Sequence, residues 1–425
     1  MTYLLDLVYV LLLIVISPWF AWQAWRTGKS RRGLAARMSG QIPDRIQQNP
    51  CIWLHAVSVG EVNLLQPLIA DLEAKFPGYE CVVSSTTESG FALAQKKYAP
   101  RYVFRCPLDF SWAVRRVLAR LQPKLLVLAE LELWPNLITL AHRKGVKIAV
   151  VNGRLSSHSF RGYRRTGPFA RWLLSHIDVL VVQTQEFAQR FRDLGAKEGQ
   201  IYLAGSLKFD GASTDRDNDT TRQLVALAGF TEEDVVFLAG STQEPEERLA
   251  LATFQTLAAE HPYLRLVVVP RHPERCDEVA DMLDHAGVAW RRRSELQNSE
   301  SAGKQAHVLL VDSVGELWAW WGSAQIAYVG GSMGAREGQN MIEPAAYGAV
   351  VSFGPRTRNF RDVVAALLAA DAAIVVQDGQ ELTRFVRRAL EADEFAANYG
   401  RAAQRLVASQ LGATQRTADV LSQLL

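Results

Sequence analysis

Apolar positions fall in two rhythms along this chain: short unbroken runs, and longer segments in which they recur every third or fourth residue. A short run bounded by turn residues reads as a buried strand, and the longer spacing reads as an amphipathic helix. Runs at 52–57, 80–84, 102–105, 125–129, 147–151, 179–183 and 201–204 alternate with helical segments. After residues 211–223, which are polar and aperiodic and read as a linker, the alternation resumes with runs at 235–239, 264–269, 308–311, 324–329, 349–353 and 373–376. Strands separated by helices form parallel sheets through βαβ units. The expected fold class is therefore α/β, with two doubly wound, Rossmann-like domains at 51–210 and 224–425, the second closed by helices at 382–391, 394–409 and 414–425. A length of 425 residues suits two cores rather than one.

The first residues break this rhythm. Residues 4–25 are apolar except for Asp6 and Gln23, and Trp19, Trp22 and Trp25 cluster at the far end. About 20 residues is near the minimum for crossing a bilayer, and no small-residue cleavage site follows, so residues 1–25 read as an uncleaved membrane anchor. Pro18 and Asp6 interrupt the stretch, so a helix lying in one leaflet is the alternative. Residues 26–50 form a basic juxtamembrane segment, carrying Arg26, Lys29, Arg31, Arg32, Arg37 and Arg45 against the single acid Asp44. That segment predicts an anionic membrane surface as a partner and keeps the bulk of the chain on the cytoplasmic side. A net charge of +3 gives no nucleic-acid surface, and 48% apolar residues exclude a disordered chain. Cys51, Cys81, Cys106 and Cys276 lack metal-ligand spacing and read as reduced core thiols.

Candidate chemistry gathers where strands end. In residues 53–67 a buried strand stops at Ser58-Val59-Gly60, and Glu61 opens a helix. In open parallel sheets ligands bind outside the carboxyl ends of strands, so Glu61 would face a crevice. A carboxylate in a first helical turn is also stabilised by the macrodipole without any function, and the same dipole lowers its pKa. Glu130 and Glu132 follow the run 125–129, so Glu130 would lie at the same edge as Glu61; the alternative, a cap for a helix near Trp134-Pro135, fits Glu132. Lys208 is a solvated charge or a cation beside a cleft. Arg271, after the run 264–269, is placed to hold a phosphate, or to pair with Glu274. Gly330, Gly331 and Ser332 follow another run, where backbone N–H groups could approach a phosphate. Asp215-Arg216-Asp217 matches a metal–diphosphate motif but reads as solvated linker, and His272 reads as structural.

Five stretches, 53–67, 130–136 (ELELWPN), 205–210 (GSLKFD), 269–275 (VPRHPER) and 330–344, occur in an order that resembles the Kdo (3-deoxy-D-manno-octulosonate) transferases of Gram-negative lipopolysaccharide synthesis. The resemblance spans nearly the whole chain. It implies a GT-B glycosyltransferase at the inner membrane, with an acceptor-binding first domain and a CMP-sugar-binding second domain. It also implies inverting transfer of Kdo from CMP-Kdo to the lipid A precursor lipid IVA, with no cofactor and no metal. Carried over residue by residue, it makes Glu61 the proton acceptor, and Glu130 and Lys208 transition-state stabilisers. The implied CMP contacts are Pro270, Arg271, Val314, Gly315, Glu316, Asn340, Met341, Ile342 and Glu343, with Glu343 suited to ribose hydroxyls. The chain departs from the pattern at Gln339, where the common form has His, and at Thr242-Gln243-Glu244-Pro245. A nucleotide-sugar epimerase of the same fold and a non-catalytic nucleotide-sensing membrane module are the rival readings.

Overall fold

The computed structural model describes residues 2–27, 33–45, 49–296, 306–334 and 336–425; the side chains of residues 18–27 lie outside that description. Two seven-stranded parallel sheets, each with helices between its strands, give the two-domain Rossmann-like architecture of the GT-B class. The first sheet contains β1 (Cys51–Ala56), β2 (Glu80–Ser85), β3 (Val103–Arg105), β4 (Leu125–Ala129), β5 (Lys147–Gly153), β6 (Val179–Val182) and β7 (Ile201–Leu203). Their order is β3-β2-β1-β4-β5-β6-β7. The second contains β8 (Val235–Thr242), β9 (Leu264–Pro270), β10 (Trp290–Arg292), β11 (Val308–Leu310), β12 (Ile326–Val329), β13 (Val350–Phe353) and β14 (Ala373–Val375), in the order β10-β11-β9-β8-β12-β13-β14. In each sheet the winding reverses beside the first strand, between β1 and β4 and between β8 and β12, which opens a crevice at their carboxyl ends. Residues of β1, β4 and β5 are buried on both faces, as a sheet covered by helices requires. The unforeseen strand is β10, three half-buried residues of sequence WRR with no apolar run to announce it.

Compact packing divides the chain differently from its order. One unit takes the residues up to Asp210 together with Gln410–Leu425, and the other takes Gly211–Ser409. The last helix, Ala413–Ser422, thus leaves the second domain in which the apolar pattern placed it. Ala413, Ala418 and Leu421 are buried in one core with Leu65, Ile69 and Leu72 of the helix Val59–Lys75. Arg416 donates through Nε (3.0 Å) and Nη2 (2.7 Å) to the Ala204 carbonyl, and Asp210 accepts from the Gly412 and Thr414 amides. The expected linker is also partly built in. Helix Asp219–Ala228 starts inside it with Asn218 as its cap, and Arg216 donates to the carbonyls of Tyr347 and Ala324 rather than to water.

The N-terminal stretch forms the helix Thr2–Thr27. Among the described residues no helix is long and apolar enough to cross a membrane. Leu4, Leu7, Leu11 and Val15 are exposed, whereas Asp6 is buried in the first unit. The basic segment is not wholly turned outward, because Arg37 donates to the Cys106 carbonyl (2.8 Å) and Arg45 pairs with Glu80 (2.6 Å). Lys29, Arg31 and Arg32, like the side chains of Arg26 and the three tryptophans, lie outside the described residues.

Leu421→Ala removes a fully buried side chain from the first unit's core. It should cost about 2–5 kcal/mol there, read as a lower unfolding temperature of that unit in calorimetry. An equal shift of the second unit alone would show that the helix belongs with it.

Candidate active site

β1 and β4 run in register, with His55 beside Leu128, so both strands end at the same edge of the sheet. Glu61 lies just past β1, in the first turn of Val59–Lys75. Ser58 caps that helix by accepting from the Glu61 amide (3.3 Å), while the Glu61 carboxylate accepts from the Ser58 hydroxyl (2.7 Å) and the Val57 amide (2.9 Å). This reciprocal pairing satisfies amides that the helix itself cannot, and it fixes the carboxylate in one orientation. Glu61 is only 8% exposed. Burial pushes its pKa up, the Val57 and Ser58 hydrogen bonds oppose the rise, and the charge of Glu130 adds to it. The lowering expected from the helix dipole is therefore outweighed. A carboxylate raised in this way holds a proton more readily than an ordinary glutamate.

Glu130 follows β4 with its backbone in the left-handed region, φ 55°. Its amide donates to the Val151 carbonyl of β5 (2.9 Å). A non-glycine residue held there costs about 1–3 kcal/mol and persists only where the surroundings impose it. The side chain lies between two cations: Lys208 Nζ is 3.5 Å from one carboxylate oxygen, and Arg154 Nη1 is 3.9 Å from the other. Lys208 is brought there by the segment after β7, where Asn152 Oδ1 accepts from the Leu207 amide (3.1 Å). Glu132 is not a helix cap, since Trp134 occupies that position without a side-chain bond. Burial and the nearby Glu61 carboxylate instead push Glu132 up to about 7.

In the second unit Arg271 directly follows β9, and its amide donates to the Thr242 carbonyl of β8 (3.0 Å). Its side chain is exposed and forms no ion pair among the described residues, whereas Glu274 faces His272 Nδ1 at 3.7 Å. The pairing of Arg271 with Glu274 is thus replaced, and His272 gains a partner.

The glycine turn after β12 departs from expectation. Glu246, fully buried, accepts from the amides of Gly331 (2.7 Å), Ser332 (2.8 Å), Met333 (2.9 Å) and Gln243 (2.9 Å) and from the Tyr328 hydroxyl (2.9 Å). The Gly331 and Ser332 N–H groups expected to approach a phosphate therefore already donate to an internal carboxyl group. Gly330 is required sterically, because a Cβ there would lie 2.6 Å from Ser241 O and Thr242 Cα.

Of the remaining candidates, Val314 is exposed and Gly315 is left-handed at φ 91°. Glu316 makes a two-pronged pair with Arg293, both contacts 2.9 Å. Burial opposes its ionisation, but the Ser313 hydroxyl and Arg293 hold it below the usual range. Asn340 donates to Glu343 (2.9 Å), and burial raises Glu343 against that bond. Met341 and Ile342 bury their side chains in the core, which leaves their backbone for any ligand. Among the described residues, Glu260, His261 and Glu391 have metal-ligand spacing, but Arg387 donates to both carboxylates, and Glu260 and His261 precede β9, at the edge away from Arg271.

Residues 29–211 match the family described as "3-Deoxy-D-manno-octulosonic-acid transferase (kdotransferase)". A 3-deoxy-D-manno-octulosonic acid transferase of Bordetella pertussis is 36% identical over 380 residues, 87% of this chain and 86% of its own length. One from Haemophilus influenzae is 30% identical over 373 residues, with shares of 87% and 86%. The chain belongs to the Kdo transferase family. Among solved structures, a UDP-GlcNAc 2-epimerase from Neisseria meningitidis shares the fold with a TM-score of 0.58 at 13% identity, covering 88% of this chain and all of its own. A glycosyltransferase from Rickettsia africae does so at 0.53 and 11%, with 89% and 99% covered. At such identities only the architecture is common.

The structure of this Kdo transferase adds three groups that sequence reasoning did not single out: Arg154, Glu132 as a titrating group, and Glu246. Arg154 and Glu132 stand within a turn of strand ends, where a charged residue is a usable signal. Glu246 had only its place in a first helical turn.

Carbon NMR of the carboxyl groups should show a glutamate ionising near pH 7 that disappears in Glu132→Gln. In Glu61→Gln the same ionisation should move down, because removing a neighbouring negative charge eases proton loss. A Glu132 titrating in the ordinary carboxylate range would remove the coupling.

Proposed function

We propose that this Kdo transferase moves Kdo from CMP-Kdo to a hydroxyl of the lipid A precursor lipid IVA, with inversion at the anomeric carbon. The observation that carries the reading is Glu61, a buried, pKa-raised carboxylate held rigidly beside the Glu130, Lys208 and Arg154 group. In the reaction, Glu61 takes the proton of the acceptor hydroxyl as its oxygen attacks the anomeric carbon. The bond from that carbon to the phosphate oxygen breaks, and its electron pair leaves with CMP. Glu130 offsets positive charge on the oxocarbenium-like centre, and the ion pairs with Lys208 and Arg154 hold its carboxylate in place. Arg271, exposed and without an ion pair among the described residues, receives the departing phosphate. The leaving group is a monophosphate that a guanidinium can neutralise, so the reading invokes no metal and no cofactor. Backbone groups at Gly315 and at residues 340–342 suit the nucleotide, with Glu343 toward the ribose. The exposed apolar face of the N-terminal helix supports attachment to the cytoplasmic side of the inner membrane. The burial of Asp6 favours a helix lying along that surface.

Incubation of the full chain with CMP-Kdo and lipid IVA should yield a heavier lipid by mass spectrometry and free CMP. Release of free sugar without acceptor would favour the epimerase reading instead. Glu61→Gln should keep its affinity for CMP while the transfer rate falls by about 10²–10⁴. Near-normal turnover would remove Glu61 from the role of base, and retained function would point to a sensing module. Arg271→Ala should weaken CMP and CMP-Kdo together, read by calorimetry; unchanged CMP titration would move the phosphate site elsewhere.

A further inference from the structure

Asp6 is the one charged residue in the apolar stretch 4–25, and the sequence gives it no task there. In the helix Thr2–Thr27 it shares one face with Thr2 and Tyr9, four residues before and three after, and that face turns into the first unit while Leu4, Leu7 and Leu11 stay outside. One Asp6 oxygen accepts from the Ser111 amide (2.8 Å) and from Asn136 Nδ2 (3.1 Å), and the other accepts from the Ser111 hydroxyl (2.5 Å). Helix Ser111–Leu121 has no cap from its own side chains, so Asp6 satisfies its first amide from a distant part of the chain.

Beside it, Asp109 does the same for the helix Pro135–Arg143, accepting from the Asn136 (2.9 Å) and Leu137 (2.8 Å) amides. Tyr9 donates to that carboxylate (3.1 Å), and Asn136 Nδ2 also donates to the Asp109 carbonyl (2.6 Å). Asn136 is fully buried and ends the stretch 130–136 that carries Glu130 and Glu132. That loop is fixed at its start by the bond from Glu130 N to Val151 O, and at its end by Asn136. Glu130 sits in the left-handed region between these two fixed points, a conformation that persists only where the surroundings impose it.

We propose that Asp6 is a positioning residue for the 130–136 loop, so that the N-terminal apolar helix braces the Glu130 and Glu132 carboxylates from behind through Asn136. The effect on transfer rests on the function proposed above; the brace itself does not.

The test uses the full-length chain and the variants Asp6→Ala and Asp6→Asn. Asparagine keeps an oxygen for the Ser111 amide and Asn136, and its amide can donate to the Ser111 hydroxyl. In Asp6→Ala, hydrogen exchange at the Asn136 and Leu137 amides should rise about tenfold or more while the second unit is unchanged. Turnover should fall about 10- to 100-fold with KM for CMP-Kdo and CMP affinity unaltered, as for a displaced reacting group. Asp6→Asn should restore both. Ser111→Ala, which loses a single hydroxyl contact, supplies a graded version should Asp6→Ala fail to fold. Unchanged exchange at Asn136 and Leu137, or normal turnover per folded molecule in Asp6→Ala, overturns the proposal. A wild-type chain that transfers no Kdo would refute the functional reading, and the exchange measurement would still decide the brace.

Discussion

A carboxylate taken out of water must be surrounded by donors, and in this protein those donors are mostly main-chain amides. Glu61 takes the Val57 amide, Glu246 takes four amides and a phenol, and Asp6 and Asp109 take the first amides of two helices. Each pairing meets two needs at once, since helix starts and turns also leave N–H groups without partners. The ligand edges of both sheets are shaped by this exchange. Where the carboxylate is fully enclosed, as at Glu246, it serves as a fixed part of the frame. Where it keeps some access to solvent, as at Glu61, the same rigidity fixes the direction of a carboxylate that a ligand can still reach.

Legibility in the sequence followed periodicity. Among the described residues, thirteen of the fourteen strands stand as apolar runs, and the one that does not, β10, is a short basic strand at the end of its sheet. Glu61, Glu130 and Arg271 could be singled out because each stands at or just past the end of such a run. Glu246, Asp109 and Asn136 could not, because their partners are far along the chain and carboxylate–amide pairing has no repeat. The same reason explains the misplaced last helix. Its apolar face announces that it must be covered, yet nothing in its spacing says which core will cover it. The direction of the Glu61 shift was hidden as well, since burial is a property of the assembled fold.

The architecture alone would not separate a transferase from an epimerase, because a two-domain fold of this kind hosts both. What distinguishes the chain is its sequence likeness to the Kdo transferases; its own charged groups gather at the β1–β4 edge. Three carboxylates and two cations lie close enough there to alter one another's ionisation or to form ion pairs. Such a concentration of perturbed carboxylates is characteristic of functional sites.

The return of helix Ala413–Ser422 to the first unit has a consequence for how the protein is made. During synthesis, residues up to Asp210 emerge early, yet the face of Val59–Lys75 that this helix covers stays bare until the chain beyond Ser409 has been translated. The second unit, contiguous from Gly211 to Ser409, can close on itself first. The half of the enzyme that emerges first from the ribosome is thus the half completed last, and its apolar flank is open to chaperones for the interval.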